Sequence, residues 1–267
     1  MMSLGLPLLI FTHFMSARTI FCRCCGVAGA HRYGKDRRGR QRYKCKDCGA
    51  VFNQRTRTLK SGSRLSDTTW QEGIRIFSTR GGMCAEDLAD FLKVNRKTAQ
   101  KLNRSFRVLT QELKPKRLTG PTEWDESAFS GHWVLGGVSR EQKQCLLQPI
   151  SARTGTVLVP LVEKHTHHES LIFTDEWAGY IGLMNHWTVC HAREFVNSHA
   201  RFVHTNTQEG VWGHAKTLSW HIYRGIPACN LEKYLAEIMF RYNFPEFETR
   251  VSLLLALLNR KTNSHLV

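Results

Sequence analysis

Apolar positions along the chain change period between its two halves. From Leu65 to Phe77 the residues Trp70, Ile74 and Phe77 recur at helical spacing, with Gly73 as a weak point. Gly81-Gly82 breaks the chain, and Cys84–Leu92, a turn at Val94-Asn95-Arg96 and then Lys97–Leu109 predict a helical pair with Asn95 as the second N-cap. Beyond the basic, proline-broken stretch Lys114–Pro121 the texture is that of strands. His132–Val138, Cys145–Ile150 and Leu171–Asp175 are short apolar runs, and a helical Thr156–Lys164 precedes the last. Neighbouring antiparallel strands and then a strand after a crossover helix predict a mixed sheet. Leu231, Tyr234, Leu235, Ile238 and Met239, followed by Val251–Leu258, predict helices that cover it.

The pattern divides the chain into residues 1–60, 61–114, a linker at 115–121 and 122–267, an α+β multidomain protein. With 267 residues, 42% of them hydrophobic, it can build packed cores and is not a disordered chain. The formal charge of +16 is uneven. Residues 1–120 hold 25 Lys and Arg against 8 Asp and Glu, and residues 121–267 hold 13 against 14. The first part is a polyanion binder by composition; the second is an ordinary globular domain. Leu4–Phe11 is apolar but too short to span a bilayer, and no basic residue precedes it, so it is expected to pack on the body of the protein. The expectation is a protein without a membrane partner, in the nucleus if its source is eukaryotic and in the cytoplasm otherwise.

Nine cysteines, an odd number, include two Cys-x-x-Cys pairs, Cys22/Cys25 and Cys45/Cys48, each followed by Gly. Two intervening residues let both thiolates of a tight turn reach one ion, and two such knuckles make a tetrahedral S4 zinc site in a reducing compartment. Free or redox-active thiols are the alternative, and Cys24 competes with Cys22. Between the knuckles Arg37, Arg38, Arg40 and Arg42 suit a hairpin laid along a phosphate backbone, or else a solvated charged face. In the helical pair, Arg96, Lys97, Lys101 and Arg104 are placed on the outer face of the second helix. They suit a helix-turn-helix entering a DNA groove, although plain helical hairpins look alike.

Three carboxylates carry the candidate chemistry. Asp125 and Asp175 each close a strand-like run, and Glu209 opens a helix on which Glu209, Trp212 and Lys216 share one face. An acid there also complements the helix dipole. Acids at strand ends of a mixed sheet are the ribonuclease-H-like arrangement. Two-metal phosphodiester chemistry needs hard oxygen ligands for Mg²⁺ or Mn²⁺. In that reading Asp125 bridges both ions and Asp175 and Glu209 hold one each, with the Asn206 amide as rival third ligand. Side-chain alternation puts Glu123 on the Asp125 face and Glu126 on the other, and neither is given a catalytic role. His165, His167 and His168 are read as a solvated loop, and Cys145, Cys190 and Cys229 as buried.

Taken in order, these segments resemble the IS1595/ISXO2-like transposases and their Merlin-type relatives. The resemblance runs through the cysteine ribbon with Arg42-Tyr43-Lys44-Cys45, the helical pair, Glu123–Glu126, Trp133–Val138, Thr174–Tyr180, His204–Lys216 and Tyr234–Glu237. It implies a DDE-type enzyme that cuts and joins DNA at terminal inverted repeats, acts on target DNA and works as a homo-oligomer. It also implies that Asp125 and Asp175, with Asn206 or Glu209, hold the catalytic metals, and that Lys216 contacts DNA or supports the site. The chain departs from the family at Ser127–Gly131, where a basic loop is usual, at Gln208, where an apolar residue is usual, and at Arg23, in place of a proline. Those departures suit a decayed or domesticated copy, a zinc-dependent DNA-binding protein without the chemistry.

Overall fold

Local capping shapes the helices before any tertiary contact does. In the computed structural model, which describes residues 19–129, 131–189 and 204–260, helix α1 spans Asp67–Phe77 behind Ser66, whose hydroxyl accepts from Thr69 N–H. Helix α2 (Ala85–Leu92) ends on Lys93 in the left-handed region at φ 53°. Helix α3 (Arg96–Gln111) starts behind Asn95, whose side chain accepts from Thr98 N–H at 2.9 Å. Gly73, the weak point of α1, has a packing reason: a Cβ there would meet the Phe106 ring of α3 at 3.1 Å. The segments Leu4–Phe11, Cys190 and Phe202-Val203 lie outside the described residues.

The described residues divide into two compact units, one ending at Gly62 and one spanning Ser63–Arg260. The first is a three-stranded antiparallel sheet of β1 (Ala30–Lys35), β2 (Gln41–Cys45) and β3 (Val51–Phe52) over a small core of Cys22, Cys45 and Phe52. Asp36 closes its hairpin by accepting from Arg38 N–H (2.9 Å), Arg40 N–H (3.0 Å) and Arg40 Nε (2.7 Å). Arg40 is therefore part of the turn, while Arg37 and Arg38 are exposed at its tip. Arg42 and Lys44 both lie over the Tyr33 ring.

The second unit is built on a five-stranded sheet of order β6-β5-β4-β7-β8, with β4 (Thr122–Phe129), β5 (His132–Ser139), β6 (Gln144–Pro149), β7 (Ile172–Asp175) and β8 (His186–Val189). Strand β4 pairs antiparallel with β5 and parallel with β7, the mixed sheet the sequence suggests. Helix α4 (Gly155–His165) packs one face against Trp124, Leu135, Leu146 and Tyr180. On the other face α5 (Asn206–Thr217) and α6 (Leu231–Asn243) meet Val134, Val138 and Leu147. Helix α7 (Phe247–Leu258) follows.

Helices α1–α3 belong to this same unit, so the stretch expected as a linker at 115–121 does not separate two of them. Leu118 is fully buried, and its N–H donates to His165 carbonyl at 2.7 Å in a bridge to Thr166. Arg107 of α3 meets Glu237 of α6 at 2.6 Å, Arg241 meets the same carboxylate at 2.5 Å and also reaches Thr79 carbonyl, and Arg250 donates to Ser78 carbonyl at 2.7 Å. Glu237 is fully buried, and although burial alone would raise its pKa, the two guanidinium groups hold it below the usual value.

Candidate active site and metal centre

The four cysteines come together as two crossed pairs. Cys22 and Cys48 sulfurs are 3.7 Å apart, as are those of Cys25 and Cys45, and all four lie within 4.8 Å of one another. A tetrahedral S4 site with Zn–S near 2.3 Å needs sulfurs about 3.8 Å apart, so the donor set and its spacing fit zinc. Cys24 stays outside the cluster and donates its N–H to Cys22 Sγ at 3.3 Å. Burial would raise the Cys22 thiol, but the Cys25 and Cys24 N–H groups outweigh it and bring the pKa to about 6, favouring the thiolate a metal requires.

In the second unit, Asp125 sits midway along β4, on the face that receives α5. The β4–β7 ladder pairs Thr122 with Ile172 and Glu123 with Phe173 and ends there; Asp125 and Asp175 each lie two residues beyond its last pair, near enough for the charge of Asp175 to raise the Asp125 pKa. Asp125 Oδ1 accepts from Glu126 N–H at 2.8 Å and Oδ2 accepts from Trp212 Nε1 at 2.9 Å. Burial pushes its pKa to about 6; the two N–H donors oppose the shift, and the charges of Asp175 and Glu126 add to it. A partly buried carboxylate that repels its neighbour is a donor pair a divalent cation would relieve, so these residues fit Mg²⁺. Asp175 Oδ1 accepts from Trp177 N–H at 3.0 Å.

The approach of α5 to the strand depends on the paired glycines of β5. Gly136 is opposite Asp125, and a Cβ there would come within 2.5 Å of the Trp212 ring. Gly137 faces the other way, where a Cβ would come within 2.6 Å of Trp124. Helix α5 has no side-chain cap of its own. The fully buried Glu123 supplies one from β4, accepting from Gln208 N–H at 2.9 Å and Thr207 Oγ1 at 2.7 Å while pairing with Arg140 at 2.6 Å. Sequence reasoning left Glu123 without a role; its signal was its place on the Asp125 face, two residues before it.

Of the residues on the α5 face, Trp212 is buried, and Asn206, Glu209 and Lys216 are exposed. Among the described residues only the four cysteines form a group of three or more ligand-type side chains within 4.8 Å of one another, so Asp125, Asp175 and Glu209 do not close to that distance as a trio. Gln208 is fully buried, and neither its Oε1 nor its Nε2 has a partner. On the other face of β4, Glu126 Oε2 accepts from Arg153 Nε at 2.9 Å.

The remaining site residues fall at several places. Arg96 pairs with Glu86 at 2.6 Å at the surface, and Lys97, Lys101 and Arg104 are exposed on α3. Cys145 is buried as expected, but Cys229 is exposed, because it lies in a short 3₁₀ turn ahead of α6 rather than in the helix. His165 bonds Lys116 carbonyl and His167 stacks on His168, with Thr166 between them buried against Leu118, so this stretch is only partly solvated. No helix among the described residues is long and apolar enough to cross a membrane.

An uncharacterised transposase-like protein of Haemophilus influenzae is 27% identical over 103 residues, which cover 36% of this chain and 79% of that protein. Among solved structures, the catalytic core domain of BIV integrase overlaps 46% of this chain and 82% of its own at 10% identity, with a TM-score of 0.30. The ISXO2-like transposase domain family matches residues 118–243, the stretch that holds β4 through α6 and with them Asp125, Asp175 and Glu209. That similarity covers residues 118–243, a little under half of the chain.

Proposed function

We propose that the protein is a DNA transposase of the DDE type, Merlin-like in its whole plan, that cuts and joins element ends at terminal inverted repeats. The observation that supports this most is Asp125 near enough to Asp175 for the second carboxylate to raise its pKa, with Trp212 of α5 bonded to Asp125, all within the matched stretch. Bound Mg²⁺ or Mn²⁺ would activate the attacking oxygen and stabilise the leaving one. Asp125 and Asp175 are the residues to hold these ions, with Glu209 rather than Asn206 as third ligand, because an amide brings no charge. Trp212 fixes the Asp125 carboxylate through Oδ2, and Lys216, one turn on, lies where it can meet a phosphate.

The cysteine cluster in this reading holds structural Zn²⁺, and Arg37, Arg38 and Arg42 of the ribbon, with Lys97, Lys101 and Arg104 of α3, contact duplex DNA. Arg40 and Arg96 contribute less, because each is already paired with an acid. A homo-oligomer follows from the need to hold two ends at once. The second reading, a domesticated DNA-binding protein, draws on the three carboxylates that do not close to 4.8 Å and on the unpartnered Gln208 amide.

Purified protein with a labelled element end and Mg²⁺ or Mn²⁺ separates the two. Cleavage that is abolished by Asp125→Ala and Asp175→Ala, with DNA binding retained, supports the enzyme. A wild-type chain inert with both metals supports the binding protein. Glu209→Gln with a near-normal rate beside a dead Asn206→Ala would reverse the choice of third ligand.

A further inference from the structure

Two large aromatic side chains lie exposed beside the acids, and the chemistry described so far does not use them. Trp177 is 43% exposed and Trp133 38%. Between them lies Arg153, its guanidinium carbon 4.3 Å from the Trp177 ring centroid and 4.6 Å from that of Trp133. The assembly is fixed by polar bonds. Trp177 Nε1 donates to Arg153 carbonyl at 2.9 Å, Trp177 N–H donates to Asp175 Oδ1 at 3.0 Å, and Arg153 Nε donates to Glu126 Oε2 at 2.9 Å. These bonds tie the group to Asp175 directly and to Asp125 through its chain neighbour.

Arg153 and Trp177 come from two loops and Trp133 from strand β5, and the three meet at one end of the sheet. Trp177 follows the carboxyl end of β7, Arg153 follows that of β6, and Trp133 is near the start of the antiparallel β5. Open α/β sheets bind their ligands at the carboxyl ends of strands. Exposed indoles cost solvation, and a cation held between two of them keeps both rings in fixed planes rather than letting them fold onto the core.

We propose that this Trp133–Arg153–Trp177 group is a stacking platform for an unpaired nucleobase at a DNA end, an inference that rests on the transposase reading above. Where a strand end brought to Asp125 and Asp175 frays, the bases it frees expose π-faces that an indole matches whatever their identity. A duplex with intact stacking offers no such face, so the platform distinguishes tailed or frayed ends from blunt ones.

The full-length chain, without added Mg²⁺ or Mn²⁺, is titrated with a blunt duplex and with the same duplex carrying a three-nucleotide tail on either strand, 2-aminopurine being placed in the tail. The expected result is about tenfold tighter binding of one tailed duplex, the order of one base–aromatic stack, with quenching of the 2-aminopurine. Trp177→Ala loses both the preference and the quenching while blunt-duplex affinity is unchanged, and Trp177→Phe keeps most of each. Thermal melting identifies a Trp177→Ala chain that fails to fold, in which case Trp133→Ala and Trp177→Phe decide by the same two readouts. Equal affinity for blunt and tailed duplexes, or quenching that survives the tryptophan variants, overturns the platform. Cleavage with no tail preference sinks the platform alone, and tail preference in a chain that never cleaves sinks the transposase reading alone.

Discussion

Replacing Gln208 by Met tests the packing of α5 on the sheet. The Gln208 side chain is fully buried against Gly136 and the Trp212 ring, and both its amide atoms lack partners, although its backbone N–H is held by Glu123. A buried polar group left unsatisfied costs about 1–3 kcal/mol, and two are present here. Met has nearly the same length and no strong polar atom, and it adapts to irregular space. The exchange removes the desolvation cost and keeps the volume, with a repacking loss of roughly 1 kcal/mol set against it. The net expectation is a gain of about 1–5 kcal/mol, which for a unit of this size raises the melting temperature by roughly 3–15 °C. Differential scanning calorimetry of wild type, Gln208→Met and Gln208→Ala measures it. Gln208→Ala should melt below wild type, because it opens a cavity beside Trp212. A Met variant that melts at or below the wild-type temperature would show that the amide is satisfied, and would refute the reasoning.

Other expectations follow from the acids and the cysteines. Asp125 has its pKa raised to about 6 against about 3.9 in an unfolded chain, so its contribution to stability is full below about pH 4 and is lost as pH rises through 6. Asp125→Asn should therefore gain on wild type between pH 4.5 and 7.5 in melting experiments without added divalent metal, and a gap that stays flat or shrinks with pH counts against it. The cysteine cluster should hold one zinc ion per chain, with Cys45→Ser unfolding the ribbon and weakening duplex binding. Elemental analysis that finds no zinc in protein purified without chelator would remove that expectation.

What the sequence disclosed follows the range of the interactions involved. Helices α1 and α3 were legible because their signals are local: Asn95 caps α3 within three residues, and Trp70, Ile74 and Phe77 repeat at helical spacing in α1 and are all buried. Strand β8 was not legible. Its four residues, His186–Val189, carry no alternation of burial that sequence could show, and they are a strand only because β7 pairs with them. Packing of α1–α3 with the sheet draws on Glu237, the buried acid of α6. Its two arginine partners are 130 residues and 4 residues away, and only the nearer is a local signal. The basic stretch 115–121 looks like a linker by composition, but a single apolar residue, Leu118, anchors it in the core.

The candidate site divides in the same way. Asp175 was legible as the acid that ends the run Ile172–Asp175, whereas Asp125, read as closing a strand, lies midway along β4, and Cys22 rather than Cys24 was legible as a ligand only by its spacing from Cys25. The parts that position the acids were not, because each is a relation between faces. Alternation along β4 sends Glu123 and Asp125 toward α5 and Glu126 toward α4, and the three carboxylates have different work. Glu123 caps the incoming helix, Asp125 meets its indole, and Glu126 anchors Arg153. The opposing Gly136-Gly137 pair repeats this division on β5, since one glycine clears the way for Trp212 and the next for Trp124. A side chain at Gly136 would hold α5 off the strand, separate Trp212 from Asp125 and carry Glu209 away with it. The geometry of the acids is therefore set as much by the absence of two Cβ atoms as by the carboxylates themselves.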